Sequence, residues 1–409
     1  MPEKIMASVI SAFVKLALLL PVAFVVATAG CTSLTRNPVP VDQMASAQVP
    51  GMPGVRGWGG ETSRWLQEDL VQSARDERED IVPRNPDGSR YYYVLALSGG
   101  GAQGAFGAGF LYGWTEAGTR PKFKIVTGIS TGSLIAPLAF LGSEYDEQLK
   151  EAFTTITSEN IFEMSLPFFG GEALTSTTPL ANLIERYIDE EYLTRAAQVH
   201  AAGRRLYIGT TDLDAERLVV WNMGAIAASG HPDALALFRN VMRASASLPI
   251  LFPPVYIDVE VGGRRYDEMH VDGGIMTQVF FTALSLDLVA AAREVEAPVR
   301  GGSVYVIRND KLSPAPEPID RTLLAITGRA IAGMIKTMAV ADLTRIYLVT
   351  EQVGGEFNYV GIPDEFVWEG QEAFDREEMR RLFEVGRELA ASGNPWRTVP
   401  PLYDERKLR

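Results

Sequence analysis

The chain has 409 residues, 46% of them apolar, so it is long enough for one large or two ordinary globular domains with a substantial core. Its net charge of −13 argues against a nucleic-acid-binding protein and against broad electrostatic docking on anionic lipid. The single cysteine, Cys31, excludes an internal disulfide and a cysteine-based metal site. The three histidines form no His-Glu-x-x-His pattern, so we expect neither a metal nor a cofactor.

The first 30 residues are typical of a secretory signal peptide. Positive charge and an uncharged apolar run over residues 16–27 lead through small residues to Cys31. This junction resembles the bacterial lipobox, although Thr28 stands where leucine is commonest. The resemblance implies removal of residues 1–30, lipidation of Cys31, and a bacterial envelope protein anchored to a membrane on the periplasmic or outer-membrane side. An ordinary signal peptide or an uncleaved anchor is the alternative.

The next segment, residues 31–90, is predicted to be a lipid-anchored tether with a leading helix. Proline, glycine, serine and glutamine are frequent in residues 37–60, which predicts an extended and mobile chain. Apolar residues at helical spacing within residues 61–80 predict a surface helix. Because no linker is evident further on, we expect one folded domain over residues 91–394 and a C-terminal tail over residues 395–409.

The folded domain begins with alternating strands and helices. An apolar and aromatic run over residues 91–97 predicts a buried strand, followed by a glycine loop and a helix of small residues. A second strand over residues 123–128 runs into a helix over residues 133–141. This order predicts a parallel sheet with helices on its faces. Further strands are predicted over residues 205–214, 217–222, 255–261, 264–271, 303–308 and 345–350, and helices over residues 233–246, 318–343 and 371–391.

The second strand ends in the serine turn Gly128-Ile129-Ser130-Thr131-Gly132, which has the Gly-x-Ser-x-Gly spacing of a nucleophile elbow. Small neighbours are needed because a sharp strand-to-helix turn brings the two elements close together. Such a turn exposes the serine oxygen at the carboxyl edge of a sheet, where a helix N-terminus favours developing negative charge. Taken alone, the same residues also suit an ordinary helix cap.

The loop after the first strand, Gly99-Gly100-Gly101-Ala102-Gln103-Gly104, permits two interpretations. Its Gly-x-Gly-x-x-Gly spacing fits a dinucleotide-binding fingerprint, but no acidic residue ends the second strand to bind a ribose. Consecutive glycines also let backbone N–H groups approach and stabilise an oxyanion. Because the serine turn follows one strand later, the oxyanion hole is favoured, and a nicotinamide-dependent oxidoreductase is the more distant alternative.

A serine nucleophile needs a base. A Ser-His-Asp triad would have to use His270, the last histidine. Its acid would then lie between Ser130 and His270 in the sequence, as Asp258 and Asp267 do. His270 and Asp272 lie two positions apart on a predicted strand, so they would share a face. Asp272, which opens Asp-Gly-Gly at the end of that strand, is the sharper candidate, with turn capping as its alternative role.

Several blocks, in this order, resemble the patatin-like phospholipase family. They are Gly99-Gly100-Gly101-Ala102-Gln103-Gly104, Gly128-Ile129-Ser130-Thr131-Gly132-Ser133, Ala246-Ser247-Leu248-Pro249 with Phe252-Pro253-Pro254, and Asp272-Gly273-Gly274. The resemblance covers about residues 91–280. It implies an α/β fold of the three-layer α/β/α sandwich type, with a mainly parallel central sheet, and hydrolysis of lipid acyl esters.

The resemblance also implies roles for single residues. Ser130 is the expected nucleophile and Asp272 the expected base, in a dyad that uses no histidine. The backbone N–H groups of Gly99, Gly100 and Gly101 are the expected oxyanion donors. The remaining motif positions are Gln103, Gly104, Gly128, Gly132, Gly273 and Gly274. The expected partners are a lipid or acyl-ester substrate and a membrane surface reached through the lipid anchor.

The family loop usually carries arginine or lysine where Gln103 stands. A neutral amide donates hydrogen bonds but cannot hold a phosphate by charge. The substitution therefore makes neutral acyl esters plausible substrates beside phospholipids. The main alternative to an enzyme is a non-catalytic envelope lipoprotein that keeps this fold to bind lipid or a partner.

Overall fold

The computed structural model describes residues 36–78, 81–164, 172–281, 288–296, 298–314 and 316–401. The predicted signal peptide, Cys31 and residues 402–409 of the predicted tail lie outside these ranges.

The strands are β1 (Arg56–Trp58), β2 (Arg90–Leu97), β3 (Ile125–Gly128), β4 (Glu163–Met164), β5 (Thr175–Ser176), β6 (Arg205–Asp212), β7 (Arg217–Asn222), β8 (Val255–Val261), β9 (Arg264–Asp272), β10 (Val299–Arg308) and β11 (Glu356–Gly361). The α-helices are α1 (Arg64–Arg75), α2 (Gly104–Glu116), α3 (Thr131–Leu141), α4 (Asp146–Thr154), α5 (Thr178–Tyr187), α6 (Glu190–Ala201), α7 (Met223–Ala228), α8 (Ala234–Ser245), α9 (Leu288–Glu294), α10 (Leu323–Gln352) and α11 (Arg376–Ala391).

A mixed sheet organises these elements. Its order is β1-β7-β6-β3-β2-β10-β11, with β9 pairing β6 and β8 pairing β9. The central strands β6, β3, β2, β10 and β11 run parallel to one another. Strands β1, β7, β8 and β9 pair in antiparallel fashion. The carboxyl ends of the parallel strands therefore meet at one sheet edge, where the serine turn and the glycine loop lie.

Alternate side chains of the central strands enter two separate cores. Leu95 and Leu97 of β2 pack with α2, α3 and α11 on one face of the sheet. Val94 and Ala96 of the same strand pack with α1, α9 and the C-terminal half of α10 on the other face. Helices thus cover both faces of the sheet, and the predicted three-layer α/β/α fold is confirmed.

Residues 37–60 are folded onto the domain, so the prediction of an extended, mobile tether was wrong. Val39 and Val49 are buried, and β1 pairs with β7. The Arg56 guanidinium forms a buried ion pair with Glu268 on β9. These contacts could not be predicted from composition, because scattered valines and a single arginine make them. The rest of the segment is rich in proline and glycine.

The predicted strand over residues 345–350 is also wrong, because α10 continues through it to Gln352. The β-branched residues of this stretch favour a strand when taken locally. The stretch belongs instead to a helix. Leu343, Ile346 and Tyr347 recur at helical spacing and form its buried stripe. The strand that follows, β11, was not predicted.

The first half of α10 is different, because none of its described side chains before Ala339 is buried. Within the described ranges, no helix combines the length and hydropathy needed to cross a membrane.

Candidate active site

The serine turn places Ser130 between the end of β3 and the start of α3. Ser130 has φ 53° and ψ −126°, a conformation that side-chain-bearing residues rarely adopt. Its N–H donates to Ser245 Oγ (3.0 Å), whose hydroxyl donates to the Gly209 carbonyl (2.7 Å). The strained turn is thereby fixed to β6 and α8, as a nucleophile elbow requires.

The two glycines of the turn are required by close approach. A Cβ at Gly128 would lie 2.4 Å from the Gly132 carbonyl oxygen, and a Cβ at Gly132 would lie 2.3 Å from the Leu97 carbonyl oxygen. Both distances are shorter than any real contact of a Cβ atom, so strand, turn and helix fit together only without side chains there. The Gly-x-Ser-x-Gly spacing is therefore a packing requirement of this turn.

Asp272 is the last residue of β9 and lies opposite Thr210 of β6. Its carboxylate accepts a hydrogen bond from the Gly274 N–H (2.7 Å), and the nearby Ser130 hydroxyl lowers its pKa. Its own N–H donates to the Ser247 carbonyl (2.9 Å), so the predicted Ala246–Pro249 block fixes the end of this strand.

The side chain of Asp272 is only 2% exposed. Burial raises its pKa to about 7, although the Ser130 hydroxyl and the Gly274 N–H act in the opposite direction. Among the described residues, no charged side chain contributes to this shift. A carboxyl with a pKa near neutrality is suited to accept a proton and return it.

The glycine loop lies directly against the serine. A Cβ on Gly99 would lie 3.0 Å from Ser130 Cβ, and Gly101 has a positive φ of 57°. The Gly99 N–H donates to the Gln278 carbonyl (3.3 Å), so it is already occupied. The N–H groups of Gly100 and Gly101 show no acceptor among the described residues, and both glycines line the pocket that contains Ser130. Of the three predicted oxyanion donors, Gly100 and Gly101 are therefore the two whose N–H groups have no acceptor in the described structure.

Asn309, which the sequence reasoning missed, holds the glycine loop from behind. Its Nδ2 donates to the Ser98 carbonyl (2.9 Å), and its Oδ1 accepts from the Gly107 N–H (3.0 Å). A Cβ on Gly100 would lie only 2.0 Å from the Asn309 carbonyl oxygen. The only available sequence feature was its position directly after the predicted strand over residues 303–308.

Gln103 also contacts this segment. In the amide orientation that satisfies both neighbours, its nitrogen lies 3.3 Å from the Asn309 carbonyl oxygen and 3.3 Å from Asp310 Oδ1 and donates to both. A buried cation, Arg308, lines the same pocket and donates to Gln278 Oε1 (3.2 Å) and Asp310 Oδ2 (3.0 Å). The pocket therefore contains a guanidinium although Gln103 is neutral, and Asp310, which also lines the pocket, carries the matching negative charge.

The structure does not assemble the histidine triad considered from the sequence. His270 Nδ1 lies 2.9 Å from Thr210 Oγ1, and its Nε2 lies 3.1 Å from Glu268 Oε2. Asp267 is bound to Arg36, and Asp258 is exposed on β8. His270 and Asp272 are both buried on β9, but they contact different partners.

The ligating atoms of Asp212, Glu268 and His270 form a buried group, within 4.8 Å of one another. Both carboxylate oxygens of Glu268 accept hydrogen bonds from the Arg56 guanidinium. A cation is thus already present in this group, which therefore fits a structural ion-pair network better than a metal centre.

Ser130 and Asp272 line a pocket of about 570 Å³ whose walls are mostly apolar. Leu134, Leu180 and Phe374 also border a second, narrow cavity of about 50 Å³ that extends between α3, α4 and α5. A polar centre at the end of an apolar space suits a ligand with a long hydrocarbon part and one reactive polar group.

Three solved structures of other proteins are similar to this chain. The crystal structure of VipD from Legionella pneumophila is similar at 11% identity and a TM-score of 0.38, over 76% of this chain and 68% of that one. The crystal structure of the type III effector protein ExoU is similar at 13% identity and a TM-score of 0.29, over 77% of this chain and 57% of that one. The structure of human GIVD cytosolic phospholipase A2 is similar at 12% identity and a TM-score of 0.28, over 68% of this chain and 51% of that one. This chain thus spans little more than half the length of the last two.

No curated protein matches the chain significantly. The family model described as patatin-like phospholipase matches residues 95–284, a range that includes the glycine loop, Ser130 and Asp272. By this match, residues 95–284 are a patatin-like phospholipase domain.

Proposed function

We propose that the protein is a lipid acyl hydrolase in which Ser130 and Asp272 form a catalytic dyad. The observation that carries the proposal is the position of the Ser130 hydroxyl beside the buried carboxyl of Asp272, in the lining of a mostly apolar pocket. The serine has a strained backbone, and the carboxyl has its pKa raised by burial to about 7. Both properties are typical of reactive groups rather than of a turn cap.

The reaction proceeds in two halves. Asp272 accepts the Ser130 proton while Ser130 Oγ attacks the acyl carbonyl carbon. The N–H groups of Gly100 and Gly101 stabilise the tetrahedral oxyanion, and each such donor contributes about 3–4 kcal/mol where measured. The C–O bond to the alcohol then breaks, and Asp272 returns the proton to the leaving oxygen. Water deacylates Ser130 by the same steps, with Asp272 again as the base.

The shape and lining of the pocket support an acyl substrate. The main pocket is large enough for an ester and its neighbouring groups, and the narrow cavity beyond Leu134 is apolar. Burial of each methylene of a hydrocarbon chain contributes about 0.8 kcal/mol, so a chain seated there would orient the ester at Ser130. Phospholipids, lysolipids and neutral esters all fit this description.

The test is hydrolysis of a panel of phospholipids, lysolipids and neutral esters by the wild type, Ser130→Ala and the matched control Ser143→Ala. Ser143 is an exposed serine beyond the other end of α3. We expect Ser130→Ala alone to lose hydrolysis and labelling by a fluorophosphonate probe. Hydrolysis that survives Ser130→Ala unchanged would refute the dyad. A folded wild type that neither hydrolyses nor reacts with the probe would favour the lipid-binding lipoprotein.

We also propose that Cys31 is lipidated after removal of residues 1–30, which would hold the enzyme at a membrane of the bacterial envelope. The motivation is the small-small-Cys junction at the end of the apolar run. A labelled fatty acid should be incorporated by the wild type and not by Cys31→Ser. Incorporation by both would exclude this site.

A further inference from the structure

The first half of α10 is an apolar helix in which no described side chain before Ala339 is buried. Leu323 is 84% exposed, Ile326 55% and Met334 66%. From Leu323 to the first buried residue, Ala339, the helix advances about 24 Å at 1.5 Å per residue. Large contiguous apolar surfaces of this kind mark interaction sites with proteins or membranes.

This half-helix borders the entrance of the catalytic pocket. Ala332, Ile335 and Lys336 line the pocket itself. Ile326, Ala330 and Met334 follow one another at intervals of four residues, so they form a stripe along the helix. The stripe and the pocket-lining residues lie on different sides of the same helix, so α10 presents one side to the pocket and another to solvent.

Apolar residues also line another part of the entrance. Met164, 75% exposed, and Leu251, 43% exposed, line the pocket. The neighbouring Ile250 is 47% exposed and has a φ of 75°, a strained value for a β-branched residue. The loop therefore maintains an unfavourable backbone conformation in which two large apolar side chains are displayed.

The first half of α10 carries no carboxylate that would repel an anionic surface. The chain carries 51 acidic residues, yet residues 323–341 contain none, and the charged residues of this stretch are Arg329 and Lys336. Arg329 pairs with Glu317, and Lys336 donates to the Ser313 carbonyl. Residues 323–341 therefore present apolar side chains with no carboxylate among them, and such side chains can enter the interface of a bilayer.

We propose that an apolar rim, formed by Met164, Ile250, Leu251, Leu323, Ile326 and Met334, inserts into the surface of a phospholipid bilayer. The proposal rests on the proposed function, since a bilayer ester must pass from the membrane into the pocket that the rim borders. A protein partner seated on the rim would cover that entrance. A bilayer supplies the substrate through it, so the bilayer is the occupant that this geometry favours.

The first experiment measures insertion at a single position of the full chain. In a Cys31→Ser, Ser130→Ala background, an environment-sensitive fluorophore is attached at Met334→Cys or at the control Leu348→Cys. Leu348 is 51% exposed on the same helix, about 21 Å further along. On addition of phosphatidylcholine–phosphatidylglycerol vesicles, we expect several-fold brighter emission at 334, quenched by a lipid-borne quencher, and no change at 348.

The second experiment measures interfacial activity in the otherwise wild-type chain. Ile326→Ser/Met334→Ser should hydrolyse vesicle substrate about tenfold more slowly or worse, because two large side chains no longer gain from leaving water. Hydrolysis of a soluble short-chain ester should be unchanged. The matched control Leu348→Ser/Val353→Ser should retain both activities.

The outcomes separate the two proposals. No response at 334 on adding vesicles overturns membrane docking, whatever the activity. Burial of the 334 label before vesicles are added also overturns it. Concentration-dependent burial identifies a second copy as the occupant, and concentration-independent burial identifies another part of the chain. A 334 label that enters vesicles on a protein whose wild type hydrolyses neither ester refutes the proposed function and leaves docking intact.

Discussion

Strand β9 carries two buried carboxylates, Glu268 and Asp272, in opposite electrostatic states. Each side chain is 2% exposed. Burial raises the pKa of Glu268, but hydrogen bonds from Arg56 and His270 more than offset this and hold it at about 2. Burial raises the pKa of Asp272 to about 7, and hydrogen bonds from neutral groups offset only part of it.

Burial alone therefore does not decide what a carboxylate does. Glu268 has a guanidinium on both oxygens and is held ionised, which makes it a structural anchor. Asp272 has a hydroxyl and a backbone N–H, so it stays close to the point where a proton can be exchanged. Four predictions test this contrast.

The largest effect is expected on activity. Asp272→Asn should lower kcat/KM about 10³-fold or more, because an amide cannot accept the Ser130 proton. Asp267→Asn is the matched control, since Asp267 lies on the same strand but binds Arg36. Steady-state kinetics of both variants check this. Similar losses in the two variants would contradict the assignment of the base.

The second effect is on stability. Arg56→Met should lower the free energy of unfolding by about 3–5 kcal/mol, because it leaves the Glu268 charge buried without its cation. Arg56→Met/Glu268→Gln should recover part of this loss, and Arg64→Met, which removes an exposed pair with Glu68, should change little. Urea denaturation measures all three. A double variant less stable than the single one would contradict the pairing.

The third effect follows from the raised pKa of Asp272. The folded state holds this proton more tightly than the unfolded chain, so stability falls as pH rises from about 4 to about 7 and then levels off. Between pH 5.5 and 8.5 the wild type should lose about 2 kcal/mol more than Asp272→Asn, which has no proton there. Urea denaturation at the two pH values gives the difference, in which other titrating groups cancel. Parallel curves would refute the raised pKa.

The smallest effect concerns the pH profile of catalysis. kcat/KM should rise with pH through a midpoint near 7, because only ionised Asp272 accepts the serine proton. In Arg56→Met/Glu268→Gln the midpoint of the kcat/KM profile should move by less than about half a pH unit. The Arg56–Glu268 ion pair has almost no net charge, so replacing it with neutral side chains changes the field at Asp272 little. A larger displacement would mean that the two carboxylates are coupled.

The sequence contained most of the fold and the main parts of the site. Strand runs, the Gly-x-Ser-x-Gly turn and the Asp-Gly-Gly turn are local patterns, and the order of the motifs indicated that Ser130 and Asp272 would meet. Both residues line one pocket, and the Ser130 hydroxyl is close enough to Asp272 to lower its pKa. Their chemical roles stay predictions until they are measured.

The supports of the site were not predictable. Asn309 holds a loop some 200 residues earlier, and Ser245 fixes the Ser130 N–H from another helix. Such contacts join one side chain to a distant backbone group and have no period or spacing. The occupied Gly99 N–H is of the same kind, since its acceptor is the backbone carbonyl of Gln278.

Strand β1 bears on how the domain can be shortened. A chain trimmed at residue 91, where the sequence predicts the domain to begin, would lose both β1 and Arg56. The outer edge of β7 would then present unpaired N–H and C=O groups, a template for pairing with other chains. Glu268 would also be left buried without its cation. We therefore expect the trimmed protein to aggregate, and a catalytic fragment should begin no later than Arg36.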